Sequence, residues 1–132
     1  MRIAKERIDV RLEIPGATIR QQRGFGDVSG FGAISGEYFS LAAGVDTTPL
    51  FEGLEGDLCQ CPHWGYVLSG RMTFEYPGGD EVYEAGDAFY SPPGHAPVKH
   101  DPGTEIVMFS PTHELRETEE VMQRNMRALQ SG

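Results

Sequence analysis

Only 11 of the 132 residues are lysine or arginine, against 20 aspartate or glutamate, for a formal charge of −9. A chain this short of cations lacks the clustered basic side chains that neutralise phosphates, which argues against nucleic acid and against an anionic membrane as partner. Long apolar runs are missing too. No stretch approaches the roughly 20 residues needed to cross a bilayer. The opening "MRIAKERIDVRLEIPG" alternates charge with aliphatics where a secretory leader would carry a continuous apolar segment. The expectation is a cytoplasmic protein. Cysteine is scarce: there are two, and in a reducing compartment such a pair is not expected to form a structural disulfide. No Ser/His/Asp set and no paired carboxylates stand out. "RGFGDVSGFGAISG" is glycine-rich, yet it lacks the Gly-Lys-Ser/Thr ending and following helix of a phosphate loop.

What the chain does have is punctuation, with 17 glycines and 9 prolines spread along its length. Ile8, Val10, Leu12 and Ile14 alternate in "IDVRLEI" and are expected to share one strand face. After the "PG" turn the region to Gly36 reads as irregular, and "EYFSLAA" (Glu37 to Ala43) as a strand with Tyr38 and Ser40 facing inward. Strand-like pieces then follow at Leu58–Cys61, Gly65–Leu68, Met72–Tyr76, Glu81–Glu84, Ala88–Tyr90, Val98–His100 and Ile106–Phe109, separated by "SGR", "PGGD", "AGD", "PPGHAP" and "DPGT". Short strands at close, even spacing point to an all-β sandwich or barrel. The tail differs. Leu115, Met122, Met126 and Leu129 fall on one helical face. Ser110 or Thr112 is the expected cap, with Pro111 in the first turn and Glu120 placed to meet Arg124. No repeat or composition break divides the chain, so it reads as one domain over residues 1–132: an N-terminal strand and glycine-rich arm (1–35), a barrel core (36–110) and a helix (111–130).

Both cysteines stand in "CQCPHWGYVLSG", followed by one of the four histidines. On a continuous strand Cys59, Cys61 and His63 would share a face, and a bend at Pro62 would swing the imidazole back toward the thiols. Thiolate with imidazole favours zinc over harder ions. The plainer readings are a strained disulfide at the limit of the geometry or two small apolar side chains filling core.

The wider spacing resembles the cupin superfamily, whose first motif reads G-x5-H-x-H-x3,4-E-x6-G. Gly53, Cys59, Cys61, His63 and Gly70 follow it, with cysteines for the two histidines, His63 for the glutamate, and the intervening loop cut to Pro62. The second motif, G-x5-P-x-G-x2-H-x3-N, is matched by Gly86, Pro92 and Gly94; Pro97 stands at the histidine position, His95 two residues before it, and Asp101 at the asparagine. The resemblance covers Gly36 to Phe109 and is closest to small single-barrel members with CQCPHWGYVL in place of the usual HxH. It implies a double-stranded β-helix, or jelly-roll barrel, followed by the amphipathic helix.

By the same resemblance a metal sits inside the barrel, held by Cys59, Cys61, His63 and His95, with His100 as the fallback fourth ligand and His113 uninvolved. The soft ligands point to zinc. Four of them would close a structural tetrahedron, whereas three would leave an open, catalytic-type position. The resulting expectation is a zinc-binding barrel that holds a small molecule or uses its metal structurally. The alternative is a zinc-dependent isomerase, lyase or hydrolase acting on a small polar metabolite. Iron-dependent oxygenation fits poorly, since thiolates beside iron are prone to oxidation. Trp64, Tyr66 and Leu68 fall on the strand face opposite His63 and Val67, as core or as the surface of a homodimer, a common cupin assembly.

Overall fold

The computed structural model describes residues 1–25, 32–42 and 44–131. Residues 26–31 of the glycine-rich stretch read above as no phosphate loop therefore lie outside the described residues, as does Ala43, the expected end of the Glu37 strand. Nine strands are present among the described residues: β1 (Val10–Ile14), β2 (Ala17–Gln22), β3 (Ile34–Leu41), β4 (His63–Ser69), β5 (Arg71–Tyr76), β6 (Gly79–Glu84), β7 (Ala88–Ser91), β8 (Ala96–His100) and β9 (Thr104–Pro111). A helix, α1 (Thr112–Ser131), follows directly. The strands form a six-stranded sheet in the order β1-β2-β3-β9-β4-β7 and a three-stranded sheet in the order β6-β5-β8. The pairings within both sheets are antiparallel.

Alternation decides which face of each strand is buried. Along β4, His63 and Val67 are buried while Trp64, Tyr66 and Leu68 remain about half exposed. Gly65 is needed between them, because a Cβ there would press into the Phe89 ring and stand 2.6 Å from the Val107 carbonyl oxygen. At Gly70, φ is +78°, a left-handed value that lets the chain turn from β4 into β5 against Thr104.

The core has two parts. Val67, Met72, Phe74, Phe89 and Ile106 fill the space between the sheets. Leu12, Ile19, Leu50, Phe51, Leu115 and Met122 form the second, which joins α1 to the barrel. On α1, Leu115 and Met122 are buried, Met126 packs partly buried, and Leu129 points to solvent. Polar contacts fix the helix further. Asn125 donates to the Leu50 and Glu52 carbonyls at 2.8 Å, and the buried Glu119 accepts from Gln21 and Arg23.

Several local expectations need correcting. Residues 17–22 form β2, which the irregular reading passed over, although its inward faces Ala17, Ile19 and Gln21 do alternate. Leu58–Cys61 is not a strand; a turn with positive φ at Gly56 and Asp57 precedes it, and Cys59 makes only a single bridge to His95. In β1 a register shift between Val10 and Leu12 breaks the alternation, so Leu12 is buried and Val10 exposed. Tyr38 and Ser40 face out of the barrel, both bonded to Glu105, while Glu37, Phe39 and Leu41 line the inside. Pro111 ends β9 instead of starting the helix. The two expected caps are engaged elsewhere, Ser110 by His63 and Thr112 by Ser35. Arg124 reaches the Glu52 carbonyl.

Candidate metal centre

Three elements deliver three ligand atoms to one place. Cys59 lies in the loop before β4, its amide donating to the His95 carbonyl at 2.7 Å and its carbonyl accepting from Gly94 at 2.8 Å. These bonds tie the segment ahead of β4 to the segment ahead of β8. His63 opens β4, and His95 immediately precedes β8. The Cys59 Sγ and the ring nitrogens of His63 and His95 all lie within 4.8 Å of one another, and all three residues are buried. Cys59 Sγ stands 3.5 Å from His63 Nε2, and the two imidazoles meet edge to face at 4.8 Å between centroids.

Each histidine is held by its other nitrogen. His95 Nδ1 lies 2.6 Å from the Pro92 carbonyl oxygen, which can only accept, so Nδ1 carries the proton and Nε2 keeps its lone pair. His63 Nδ1 lies 2.6 Å from the Ser110 hydroxyl, leaving Nε2 toward Cys59. An outward nitrogen anchored by a carbonyl or hydroxyl, with the inner one bare, is the arrangement of metal-binding histidines. Burial, with a smaller electrostatic push from the neighbouring His95 ring, lowers the His63 pKa to about 3, so its ring is neutral at any physiological pH, as a ligand must be. Burial also lowers the His95 pKa. It raises the Cys59 thiol to about 11, so that metal binding there displaces a proton.

Among the four residues expected as ligands, Cys61 is the one outside this group. It is fully buried, but its Sγ faces the Pro62 carbonyl at 3.4 Å, and burial pushes its thiol up strongly. The chain bends at Cys61, and the Cys61 sulfur does not join the three clustered ligand atoms. Both are free thiols. His100 lines the cavity beside the cluster without belonging to it, and His113 is exposed on α1. One thiolate and two imidazoles suit zinc or a similar borderline-soft divalent ion, with a coordination position left over.

Cys59, His63 and His95 line a cavity of about 70 Å³ inside the barrel. At roughly 10–15 Å³ for each water-sized occupant, it has room for a handful of non-hydrogen atoms. Its walls are mainly apolar, among them Leu12, Phe39, Leu50 and Met122, but Arg11, Glu37 and Thr118 also line it. Arg11 Nη2 donates to Glu37 Oε2 at 3.1 Å. Burial raises the Glu37 pKa and Arg11 opposes that rise. Thr118, from α1, sets its hydroxyl 3.6 Å from Cys59 Sγ. The sequence reading passed over all three. Glu37 had a usable signal, since it is in phase with Phe39 and Leu41. Arg11 had none, because the β1 register shift reverses its expected side.

No protein-family model matches the sequence, and a search of curated proteins finds no relative. Solved structures do match. KdgF from a Halomonas species superposes with a TM-score of 0.54 at 19% identity, covering 82% of this chain and 90% of that one. An RmlC-like cupin from Shewanella frigidimarina gives 0.53 at 20% identity, over 83% and 88%. The polyketide cyclase RemF from Streptomyces resistomycificus gives 0.52 at 19% identity, over 85% and 79%. With its two antiparallel sheets closing on a buried Cys59, His63 and His95 cluster, the chain has the fold of a small cupin barrel.

Proposed function

We propose that this barrel binds one zinc ion through Cys59, His63 and His95 and uses the remaining coordination position to hold a small molecule in the adjoining cavity. The carrying observation is the convergence of three buried ligand atoms within 4.8 Å, with the outward nitrogens of both histidines already engaged. A single thiolate leaves the ion a net positive charge, which favours an anionic or polar donor in the open position. The site supplies a Lewis acid when the metal is bound. Two free thiols suit a reducing compartment.

A second reading, a zinc-dependent isomerase, lyase or hydrolase, draws support from Glu37. It is a buried carboxylate with a raised pKa that lines the same cavity, and a group of that kind can hold or take a proton from a bound molecule. Catalysis by the residues of this chain would then consist of orienting the molecule against the apolar wall, excluding water, and exchanging a proton at Glu37.

The outer faces of β4, β7 and β9 bear on assembly. Tyr90 pairs with Trp64, and Trp64 with Phe109, making an aromatic row across three neighbouring strands. Each of these residues is between 39% and 49% exposed. A homodimer burying this row is part of the proposal.

The deciding experiment is X-ray absorption at the metal edge of the purified protein, with metal stoichiometry. One zinc per chain with one sulfur, two nitrogens and a light-atom neighbour is the expected result. A shell with two sulfurs and two nitrogens would mean a closed structural site using Cys61. Absence of metal after growth and purification with added zinc would overturn the metal reading.

A further inference from the structure

Arg11 is about 10% exposed at its side chain, and among the described residues only one of its three nitrogens has a partner. Its Nη2 donates to Glu37, while Nε and Nη1 are buried without a hydrogen-bond acceptor among the described residues. A guanidinium cannot shed its proton, so the three N–H bonds carried by Nε and Nη1 are left facing the low-dielectric interior. Such orphaned donors are costly to bury, and native structures avoid them. Neutralising Glu37 does not explain them, because that pair uses Nη2 alone. Arg11 lines the same cavity as Cys59, His63 and His95, and its charge acts on the Cys59 thiol.

We propose that Arg11 is the anchor for the carboxylate of a small organic acid, which lies in the cavity with its other end toward the Cys59, His63 and His95 cluster. This rests on the ligand-binding reading above and gives that ligand a chemical class. A carboxylate is a planar acceptor with two oxygens, matched to the guanidinium fork. The remaining walls, including Leu12, Phe39, Leu50 and Met122, suit a short hydrocarbon stem and not a fully hydrated inorganic ion. The charges agree. With Glu37 ionised the Arg11 and Glu37 pair is neutral, and a divalent ion on one thiolate and two imidazoles carries +1, so one monoanion brings the interior to neutrality. The cavity admits a ligand on the scale of butyrate.

The test uses the zinc-loaded protein and thermal shift, with acetate, butyrate, inorganic phosphate and the neutral isostere butyramide as probes. Butyrate should raise the melting temperature in a saturable manner, acetate less so, and phosphate and butyramide not at all. Arg11→Met, checked for one zinc per chain, should lose the butyrate response. Arg11→Lys, which keeps the charge but not the fork, should weaken apparent affinity by about tenfold or more. An equal butyrate shift in Arg11→Met, or a shift by butyramide or phosphate matching that of butyrate, would overturn the proposal. So would no response in the wild type. If Arg11→Met does not fold, Arg11→Lys carries the comparison, and an unchanged affinity there counts against it. Should the protein take up no zinc, the same series on the metal-free protein separates the two ideas: an Arg11-dependent butyrate shift upholds the carboxylate site while the metal reading falls.

Discussion

The Cys59 sulfur lies 3.5 Å from Nε2 of His63, whereas Cys61, nearer to His63 in sequence, turns its own sulfur to the Pro62 carbonyl. Two cysteines in one short motif thus have different surroundings, and substitution separates them. Cys59→Ser should lose most of the bound metal. Cys61→Ser should keep it, since serine fits the small buried site and can still donate to the same carbonyl. Metal content per chain, measured after dialysis, gives the answer. Equal loss in both variants would bring Cys61 into the coordination shell.

Ser110 holds His63 by Nδ1 at 2.6 Å from the end of β9, which makes it a positioning residue for the proposed ligand His63. Ser110→Ala should leave the fold intact and weaken zinc affinity by about 10–100-fold, the usual range for loss of such an outer partner. Competition with a chromophoric chelator measures it. Undiminished affinity would mean that packing alone orients the His63 ring.

The strand pattern of this barrel was readable from residue 63 onward because each turn is marked by Gly or Pro and β4, β5, β7 and β9 alternate. The cluster was readable where local spacing governs it. His63 opens the strand, and His95 stands two residues from Pro97, on the same face; both residues line the cavity. Local spacing failed where long-range contacts decide. The register shift in β1 turns Arg11 and Leu12 together toward the cavity, and only pairing with β2 imposes it. Cys61 does not join the other three for a related reason, since the strand expected over Leu58–Cys61 is replaced by a single bridge from Cys59 to His95. Thr118 reaches Cys59 from a helix 59 residues away, a contact no local motif encodes.

Glu37 gives the clearest dependence on pH. Burial raises its pKa above the ordinary value of 4.5, with Arg11 only partly opposing the rise. The folded state therefore holds the proton at pH values where the unfolded chain has released it. Between 4.5 and the raised value the folded protein binds more protons, so this group's contribution to stability is full below 4.5 and is lost as pH rises through the window. Glu37→Gln removes the titration while keeping the shape. The stability of the wild type relative to Glu37→Gln, from urea unfolding of metal-free protein between about pH 4.5 and 8, should fall as pH rises. A difference that grows with pH would mean that the Arg11 ion pair outweighs burial.

The last prediction concerns the outer face. Trp64 stacks on Tyr90 at 5.2 Å between ring centroids, and each is 49% exposed. These rings lie on β4 and on β7, the edge strand of the larger sheet. Isolated exposed aromatics need no explanation, but a contiguous row from Tyr90 through Trp64 to Phe109 is a surface that a second copy can cover. Since half of Trp64 already meets solvent, Trp64→Glu should cost the monomer little, within about 1 kcal/mol. It should break a dimer outright, because two copies would bring like charges together in a desolvated interface. Sedimentation equilibrium on wild type and variant distinguishes the cases. A wild-type mass of twice 14.5 kDa that falls to 14.5 kDa in Trp64→Glu is the expected outcome. A monomeric wild type at tens of micromolar, or a dimer that survives the substitution, would assign the aromatic row some other role.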